Sequence, residues 1–237
     1  MNVIWHDLEC GAYAEDLRLW RMLAAEHGDP VLDVGAGTGR VALDLARRGH
    51  RVTALDHDPA LLGELARRAA GLELQTVLAD AREFELRTQF ALCLVPMQTI
   101  QLLGGVDGRS AFLRCARRHL RDGAVVAIAI AEMLELYDAL DGTPAPFPDI
   151  CERDGVLYSS QPTAIRVDRG AFVLERRREI VTADGGRSEA DDVIRLDRVS
   201  PAELEREGAS AGLTPDGRLV VPPTGDYAGS TVVTLRA

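Results

Sequence analysis

Short apolar runs and amphipathic segments alternate along the first half of the chain. Apolar positions recur with a helical period between Tyr13 and His27, which predicts a helix that ends near Gly28. From residue 31 onward, apolar runs typical of buried parallel strands alternate with segments of helical periodicity. The predicted strands cover residues 31–34, 51–55, 74–78, 90–95 and 123–130, and predicted helices begin near residues 41, 59 and 111. This order is typical of an α/β fold.

The pattern changes after residue 131. Apolar and polar residues then alternate in three runs at 156–167, 172–182 and 192–199, which are separated by turns at 168–170 and 183–186. These runs predict a small antiparallel β-sheet inserted after strand five, with a proline-punctuated connection at 141–149. A capped helix at 201–211 follows, and two short strands at 219–221 and 231–235 can close the main sheet as an antiparallel pair.

Composition narrows the class of protein. The 237 residues are 46% hydrophobic, without an apolar run long enough to span a bilayer, and the first residues lack the basic start of a signal peptide. Four scattered cysteines favour neither disulfides nor a zinc site, so we expect a cytoplasmic protein without a metal. The net charge of −10 argues against nucleic acid as a partner. All 27 basic residues are arginines, which excludes a P-loop and a Schiff-base lysine.

A glycine-rich turn stands between the first strand and the next helix. It follows the pattern Asp33-x-Gly35-x-Gly37-x-Gly39. Alternate glycines permit positive φ angles and close approach of a ligand to the backbone. A dinucleotide fingerprint would place its third glycine one residue later, where this chain has Arg40. The spacing therefore favours another nucleotide-like ligand over NAD.

Two further acids stand at the carboxyl ends of the following strands. Asp56 ends the second strand, 23 residues after Asp33, and Asp80 follows the third. Ligands of open parallel sheets bind outside the carboxyl ends of the strands. Three acids at the ends of successive strands, beside the glycine turn, therefore indicate one binding site.

The turn and these acids resemble motif I and the cofactor-binding acids of the class I S-adenosylmethionine-dependent methyltransferases. The resemblance covers residues 13–131 well and residues 200–237 loosely. It implies a doubly wound, seven-stranded, mostly parallel sheet. The domains expected from it are an N-terminal cap segment and helix at 1–28, a methyltransferase core at 29–140 and 200–237, and an inserted antiparallel β lid or dimerisation element at 141–199. One departure is Ala91, since the family usually has an acid near the start of this strand.

The resemblance also assigns cofactor-binding roles. Gly35, Ala36 and Gly37 would pass beneath the methionyl group and ribose, and Asp33 would face the amino group. Asp56 would bind the ribose, with His57 as a neighbour of the adenosine. The remaining cofactor residues would be Asp80 and Ala81 at the adenine, and Val95 and Pro96 near the sulfonium.

Methyl transfer from a sulfonium is an in-line displacement that depends mainly on alignment of the reactants. An amine acceptor needs only to arrive deprotonated, whereas a hydroxyl usually needs a general base. The candidates for facing the methyl group are Gln98, Gln101, Tyr13 and His6, with Tyr137 beyond strand five, and each of them also has a plausible structural role.

We therefore expect a methyltransferase that acts on an oxygen or nitrogen of a small-molecule metabolite, with S-adenosylhomocysteine as product. No membrane or nucleic-acid partner is expected, and a homodimer is left open. A non-catalytic cofactor-binding or assembly protein with this fold, and an NAD-dependent oxidoreductase, are the alternatives.

Overall fold

A computed structural model describes residues 2–142, 145–224 and 227–237. Residues 143 and 144 of the predicted connection at 141–149 lie outside this set. Contacts within the chain define a larger unit of residues 13–132 and 199–237 and a smaller unit of residues 3–12 and 133–198. In the part of the chain that is described, no helix combines the length and apolarity needed to cross a membrane.

Helices and strands alternate along the first half of the chain. They are α1 (Asn2–Cys10), α2 (Leu17–His27), β1 (Val31–Val34), α3 (Arg40–Ala46), β2 (Val52–Asp56), α4 (Pro59–Arg68), β3 (Leu74–Leu78), β4 (Phe90–Val95), α5 (Gly105–His119) and β5 (Leu120–Ile130). Five strands follow, namely β6 (Tyr137–Asp138), β7 (Asp149–Arg153), β8 (Val156–Asp168), β9 (Ala171–Val181) and β10 (Arg187–Asp197). The last elements are α6 (Pro201–Ser210), β11 (Thr214–Val221) and β12 (Ser230–Arg236).

The larger unit is built on a seven-stranded sheet in the order β3, β2, β1, β4, β5, β12, β11. The first five strands of this order are parallel, and β12 runs antiparallel to both β5 and β11. Successive residues of β4 enter two different apolar clusters, because strand side chains alternate between faces. One cluster includes α5 and α6, and the other includes α2, α3 and α4. The predicted doubly wound, mostly parallel sheet is confirmed.

The smaller unit contains a five-stranded antiparallel sheet in the order β10, β9, β8, β6, with β7 also paired to β8. The three predicted runs correspond to β8, β9 and β10, so the inserted antiparallel sheet is confirmed. Strands β6 and β7 were not predicted. The β7–β8 turn has positive φ angles of 55° at Asp154 and 73° at Gly155. An Asp-Gly pair is a strong hairpin signal, and it marks a strand that the short flanking run did not indicate.

The sequence did not predict helix α1, because residues 5–11 show no helical periodicity. Its helical state is supported by contacts with the antiparallel sheet of the same unit rather than by an apolar stripe. Trp5 is buried and packs edge-on against Tyr158 with ring centroids 5.6 Å apart. Glu9 accepts hydrogen bonds from Ser160 and Arg178, each at 2.8 Å.

Candidate functional site

The glycine-rich turn joins β1 to α3 in the larger unit. Gly35, Gly37 and Gly39 have positive φ angles of 72°, 55° and 98°. A Cβ atom on Gly35 would lie 2.5 Å from Thr99, in the segment after β4, and one on Gly39 would lie 2.2 Å from Leu65. Glycine is therefore required at both positions by backbone conformation and by close packing.

Asp56 connects the end of β2 to this turn. Its carboxylate is buried and accepts hydrogen bonds from the backbone amides of Gly37 at 2.8 Å and Asp58 at 2.9 Å. Nδ1 of His57 lies 3.4 Å from the same carboxylate, although the His57 side chain is 87% exposed. Each carboxylate oxygen has two lone pairs, so both oxygens keep the capacity to accept further hydrogen bonds.

Asp33 lies inside β1 and is 1% exposed. Neither of its carboxylate oxygens has a hydrogen-bond partner among the residues that the structure describes. Burial raises the pKa of this carboxyl to about 7, while the charge of Arg40 acts in the opposite direction. A buried acceptor of this kind is suited to an N–H or O–H donor supplied by a ligand or a water molecule.

Arg40 at the start of α3 is the residue that sequence analysis used only to exclude a dinucleotide. Its guanidinium donates to both oxygens of Asp16, at 2.5 and 2.8 Å, and to the carbonyl of Tyr13 at 3.0 Å. The indole of Trp20 donates to the same carboxylate at 2.7 Å. This buried network attaches the helix after the glycine turn to the start of α2. Arg40 and Asp16 are 24 residues apart, and no sequence motif links two residues at that spacing, so the pair could not be predicted.

Tyr13, a predicted catalytic candidate, lies beside this network. Its ring is buried, packs against Tyr227 with centroids 5.0 Å apart, and has the Arg40 guanidinium 5.0 Å from its centre. Burial and the nearby Asp16 raise the pKa of the Tyr13 hydroxyl to about 12. The group is therefore protonated near neutral pH and acts as a hydrogen-bond donor.

Asp80 and Ala81 follow β3, as the sequence predicted. Asp80 forms an exposed ion pair with Arg82 and accepts from its backbone amide at 2.8 Å. The hydrogen bonds from Arg82 lower the pKa of Asp80. Ala81 is buried against the core. A ligand group at Asp80 would therefore share the carboxylate with Arg82. The sequence did not predict this ion pair.

Val95 ends β4, and the segment after it contains the predicted Pro96, Gln98 and Gln101. Val95 and Pro96 are buried, and Gln98 is partly buried. Gln101 is fully buried, and its side-chain amide both donates to and accepts from the backbone of Ala131, at 3.1 and 2.8 Å. This arrangement favours a structural role for Gln101 over the catalytic one suggested by the sequence.

Met97 was not among the predicted site residues, whereas His6 was. Met97, directly after Pro96, has a positive φ of 54°. Strained non-glycine conformations of this kind cluster at functional sites, and no sequence signal marks it. His6 lies in α1, in the smaller unit, and its catalytic role stays a prediction.

The arrangement of glycine turn and strand-end acids has counterparts in known proteins. A family described as a methyltransferase domain matches residues 31–123. A probable cobalt-precorrin-6B C(15)-methyltransferase (decarboxylating) from Methanothermobacter thermautotrophicus is 31% identical over 138 residues, which cover 55% of this chain and 68% of the relative. The chain belongs to the class I S-adenosylmethionine-dependent methyltransferases. Its methyl donor is S-adenosylmethionine, and the two alternatives left open by the sequence are set aside.

Solved structures share the fold of this methyltransferase over nearly its whole length. The sugar N-methyltransferase KedS8 from Streptoalloteichus sp ATCC 53650 has a TM-score of 0.77 at 18% identity, covering 99% of this chain and 92% of its own. CalS10, an amino pentose methyltransferase from Micromonospora echinaspora solved with S-adenosylmethionine bound, has a TM-score of 0.74 at 22% identity, covering 100% and 98%. At these identities the likeness shows a common fold and no more.

Proposed function

We propose that this methyltransferase transfers a methyl group to a nitrogen of a small-molecule amine. The observation that carries the proposal is the chemistry of the candidates in the larger unit. Tyr13 has a pKa of about 12, and the amides of Gln98 and Gln101 cannot take up a proton. None of these three groups is a base near neutral pH. An amine that arrives deprotonated needs none, whereas a hydroxyl acceptor usually does.

The donor would be held by the residues around the glycine turn. Asp33 offers an unpaired, buried acceptor for the amino group, and Asp56 is fixed by two backbone amides in a position suited to ribose hydroxyls. Gly35 and Gly37 leave room for a ligand close to the backbone. When bound, S-adenosylmethionine supplies an electrophilic methyl group on its sulfonium. These features fit the cofactor.

The other predicted positions keep narrower roles in this proposal. Ala36 continues the backbone of the turn, Ala81 and Asp80 would contact the adenine, and His57 would lie beside the adenosine. Val95 and Pro96 would form an apolar wall beside the transferred methyl group. Gln98 would orient the acceptor by hydrogen bonding, with Gln101 as a positioning residue that fixes the segment after β4 to Ala131.

Several observations favour a small-molecule acceptor. The net charge of −10 disfavours a polyanion. Structural neighbours include a sugar N-methyltransferase and an amino pentose methyltransferase, which makes amino sugars the first acceptors to test. The two roles predicted for the inserted sheet, substrate lid or dimer interface, stay predictions.

The experiment compares acceptors that differ only in the reacting atom. The purified protein is incubated with S-adenosylmethionine and either glucosamine or glucose, and with other amine and alcohol pairs, and the added methyl group is detected by mass spectrometry. We expect methylation of amines only, with a rate that rises with pH until the amine is deprotonated. The control is Asp56→Asn, in which we expect weaker binding of S-adenosylmethionine and therefore slower methylation. Faster methylation of alcohols, or of RNA, contradicts the proposal.

A further inference from the structure

Three consecutive arginines of β9 have very different surroundings in the smaller unit. Arg176 and Arg178 share one face of the sheet, and Arg177 lies on the opposite face with its side chain 56% exposed. Arg178 donates to both oxygens of Glu9 and to Asp192, each at 2.8 Å. Each of its three nitrogens thus donates to a carboxylate.

Arg176 lacks such partners although its side chain is only 19% exposed. Its Nη1 atom is buried and has no hydrogen-bond partner among the described residues. The ion pair with Asp149 spans 3.8 Å, beyond hydrogen-bonding distance. Arg176 is therefore a largely buried cation with one donor nitrogen, Nη1, that no hydrogen bond of the described residues uses.

The cross-strand neighbour of Arg176 forms no hydrogen bond with it among the described residues. Asp192 lies directly opposite Arg176 in the β9–β10 register, but one of its oxygens accepts from Arg178 and the other has no partner among the described residues. Glu9 is likewise engaged by Arg178 and by Ser160. The charge of Glu9 still acts on Arg176 from a distance, and Asp149, whose side chain is half-exposed, is its ion-pair partner.

A buried donor without an acceptor destabilises the fold, so such groups usually have a bound partner or a functional role. The planar guanidinium matches the two oxygens of a carboxylate or phosphate. Tyr137, a partly buried phenol within the electrostatic range of Arg176, adds a neutral donor to the same surroundings. An oxyanion would meet these donors once Asp149 turns towards solvent.

We propose that Arg176 is the central residue of an oxyanion-binding site in the smaller unit. Its ligand is a carboxylate or phosphate group, carried by a small molecule or free in solution, and Asp149 is the counter-ion that the ligand displaces. The site is argued from the smaller unit alone, so it does not rest on the amine specificity proposed above.

Side-chain NMR of the full-length protein tests the site directly. The Nε–H signals of Arg176 and Arg177 are assigned by their loss in Arg176→Gln and Arg177→Gln. Inorganic phosphate, acetate and glucosamine 6-phosphate are then titrated separately. We expect a saturable shift of the Arg176 signal, while Arg177 shows only the linear drift of an exposed group.

Two variants sharpen the outcome. Arg176→Gln should weaken binding of the effective probe by about tenfold or more, as loss of a charge-assisted contact implies, and should leave the urea midpoint unchanged or higher. Asp149→Asn should tighten binding because it removes the competing acid. The probe that binds most tightly identifies the kind of ligand. If only inorganic phosphate binds, the ligand is a free anion, and if glucosamine 6-phosphate binds better, the ligand is an anionic group on a larger molecule.

The proposal is overturned if no probe shifts Arg176 more than Arg177. It is also overturned if Arg176→Gln lowers the urea midpoint without changing probe binding, since the arginine would then be structural. Calorimetry with S-adenosylhomocysteine on the same samples reports donor binding separately, so failure of the proposed function would be recognised independently.

Discussion

The two units differ in the buried polar groups that have no hydrogen-bond partner among the described residues. In the larger unit this group is the carboxylate of Asp33, whereas in the smaller unit the unpartnered atoms include a guanidinium nitrogen of Arg176. Each unit also contains an arginine in a bidentate ion pair, here called saturated. These pairs are Arg40 with Asp16 in the larger unit and Arg178 with Glu9 in the smaller one. Saturated pairs hold elements together, since both charges are satisfied. The unsaturated groups keep their hydrogen-bonding capacity for a ligand, at some expense of stability.

The largest effect is expected where a saturated pair is broken in the larger unit. Arg40→Met leaves the Asp16 carboxylate buried without its main partner and should lower the free energy of unfolding by about 3–5 kcal/mol. Urea denaturation followed by circular dichroism measures this.

The matched control is Arg218→Met, which removes an equally bidentate but more exposed contact with Glu205. Its expected loss is about 0–1 kcal/mol. Equal losses in the two variants would mean that the Arg40 network does not connect α3 to α2 in the way described.

Arg40 also shows where sequence reasoning reached its limit. The acids Asp33, Asp56 and Asp80 were predictable because each stands at a strand end in step with the glycine turn. The partner of Arg40 was not, because a contact across 24 residues depends on how α2 packs and not on any local period. The same holds for Gln101, whose hydrogen bonds to Ala131 depend on the relative position of two strand ends.

In the smaller unit the limit is different. The alternation of residues predicted β8, β9 and β10, but not which arginine would be saturated. That outcome depends on the strand register, which places Asp192 opposite Arg176 while the Asp192 carboxylate accepts from Arg178. It also depends on α1, which carries Glu9 and shows no helical periodicity in its sequence.

A second, somewhat smaller effect should appear when the unsaturated carboxylate is neutralised. The folded state raises the pKa of Asp33 from its ordinary value near 3.8 to about 7, chiefly by burial. Folding therefore favours the protonated form, and this carboxyl disfavours folding increasingly as pH rises from about 4 to 7. Asp33→Asn should stabilise the ligand-free protein by about 2–4 kcal/mol above pH 7 and have little effect near pH 4. Urea denaturation at both pH values measures the difference. A pH-independent effect would contradict the assignment.

The arginines of β9 allow a third comparison within one strand. Burial alone would raise the pKa of Glu9, but hydrogen bonds from Arg178 and Ser160 outweigh it and lower the pKa. Arg178→Met removes the stronger of these partners and should cost about 2–3 kcal/mol of unfolding free energy. Arg177→Met, on the exposed face, should cost less than about 1 kcal/mol. Thermal and urea unfolding of both variants measure this, and similar losses would show that the Glu9 contact contributes little.

The smallest effect, and the most informative for the donor site, concerns Asp56. Its two oxygens accept from the amides of Gly37 and Asp58, so an asparagine can satisfy only one of them through its single side-chain oxygen. Asp56→Asn should therefore loosen the glycine turn and remove an acceptor for the ribose. We expect weaker binding of S-adenosylhomocysteine by about 1–3 kcal/mol, or roughly five- to a hundredfold in Kd, measured by calorimetry. Asp107→Asn, an exposed acid of the same unit, serves as the control and should bind like the parent protein. If Asp56→Asn also binds like the parent, the carboxylate only fixes the turn and the ribose has another partner.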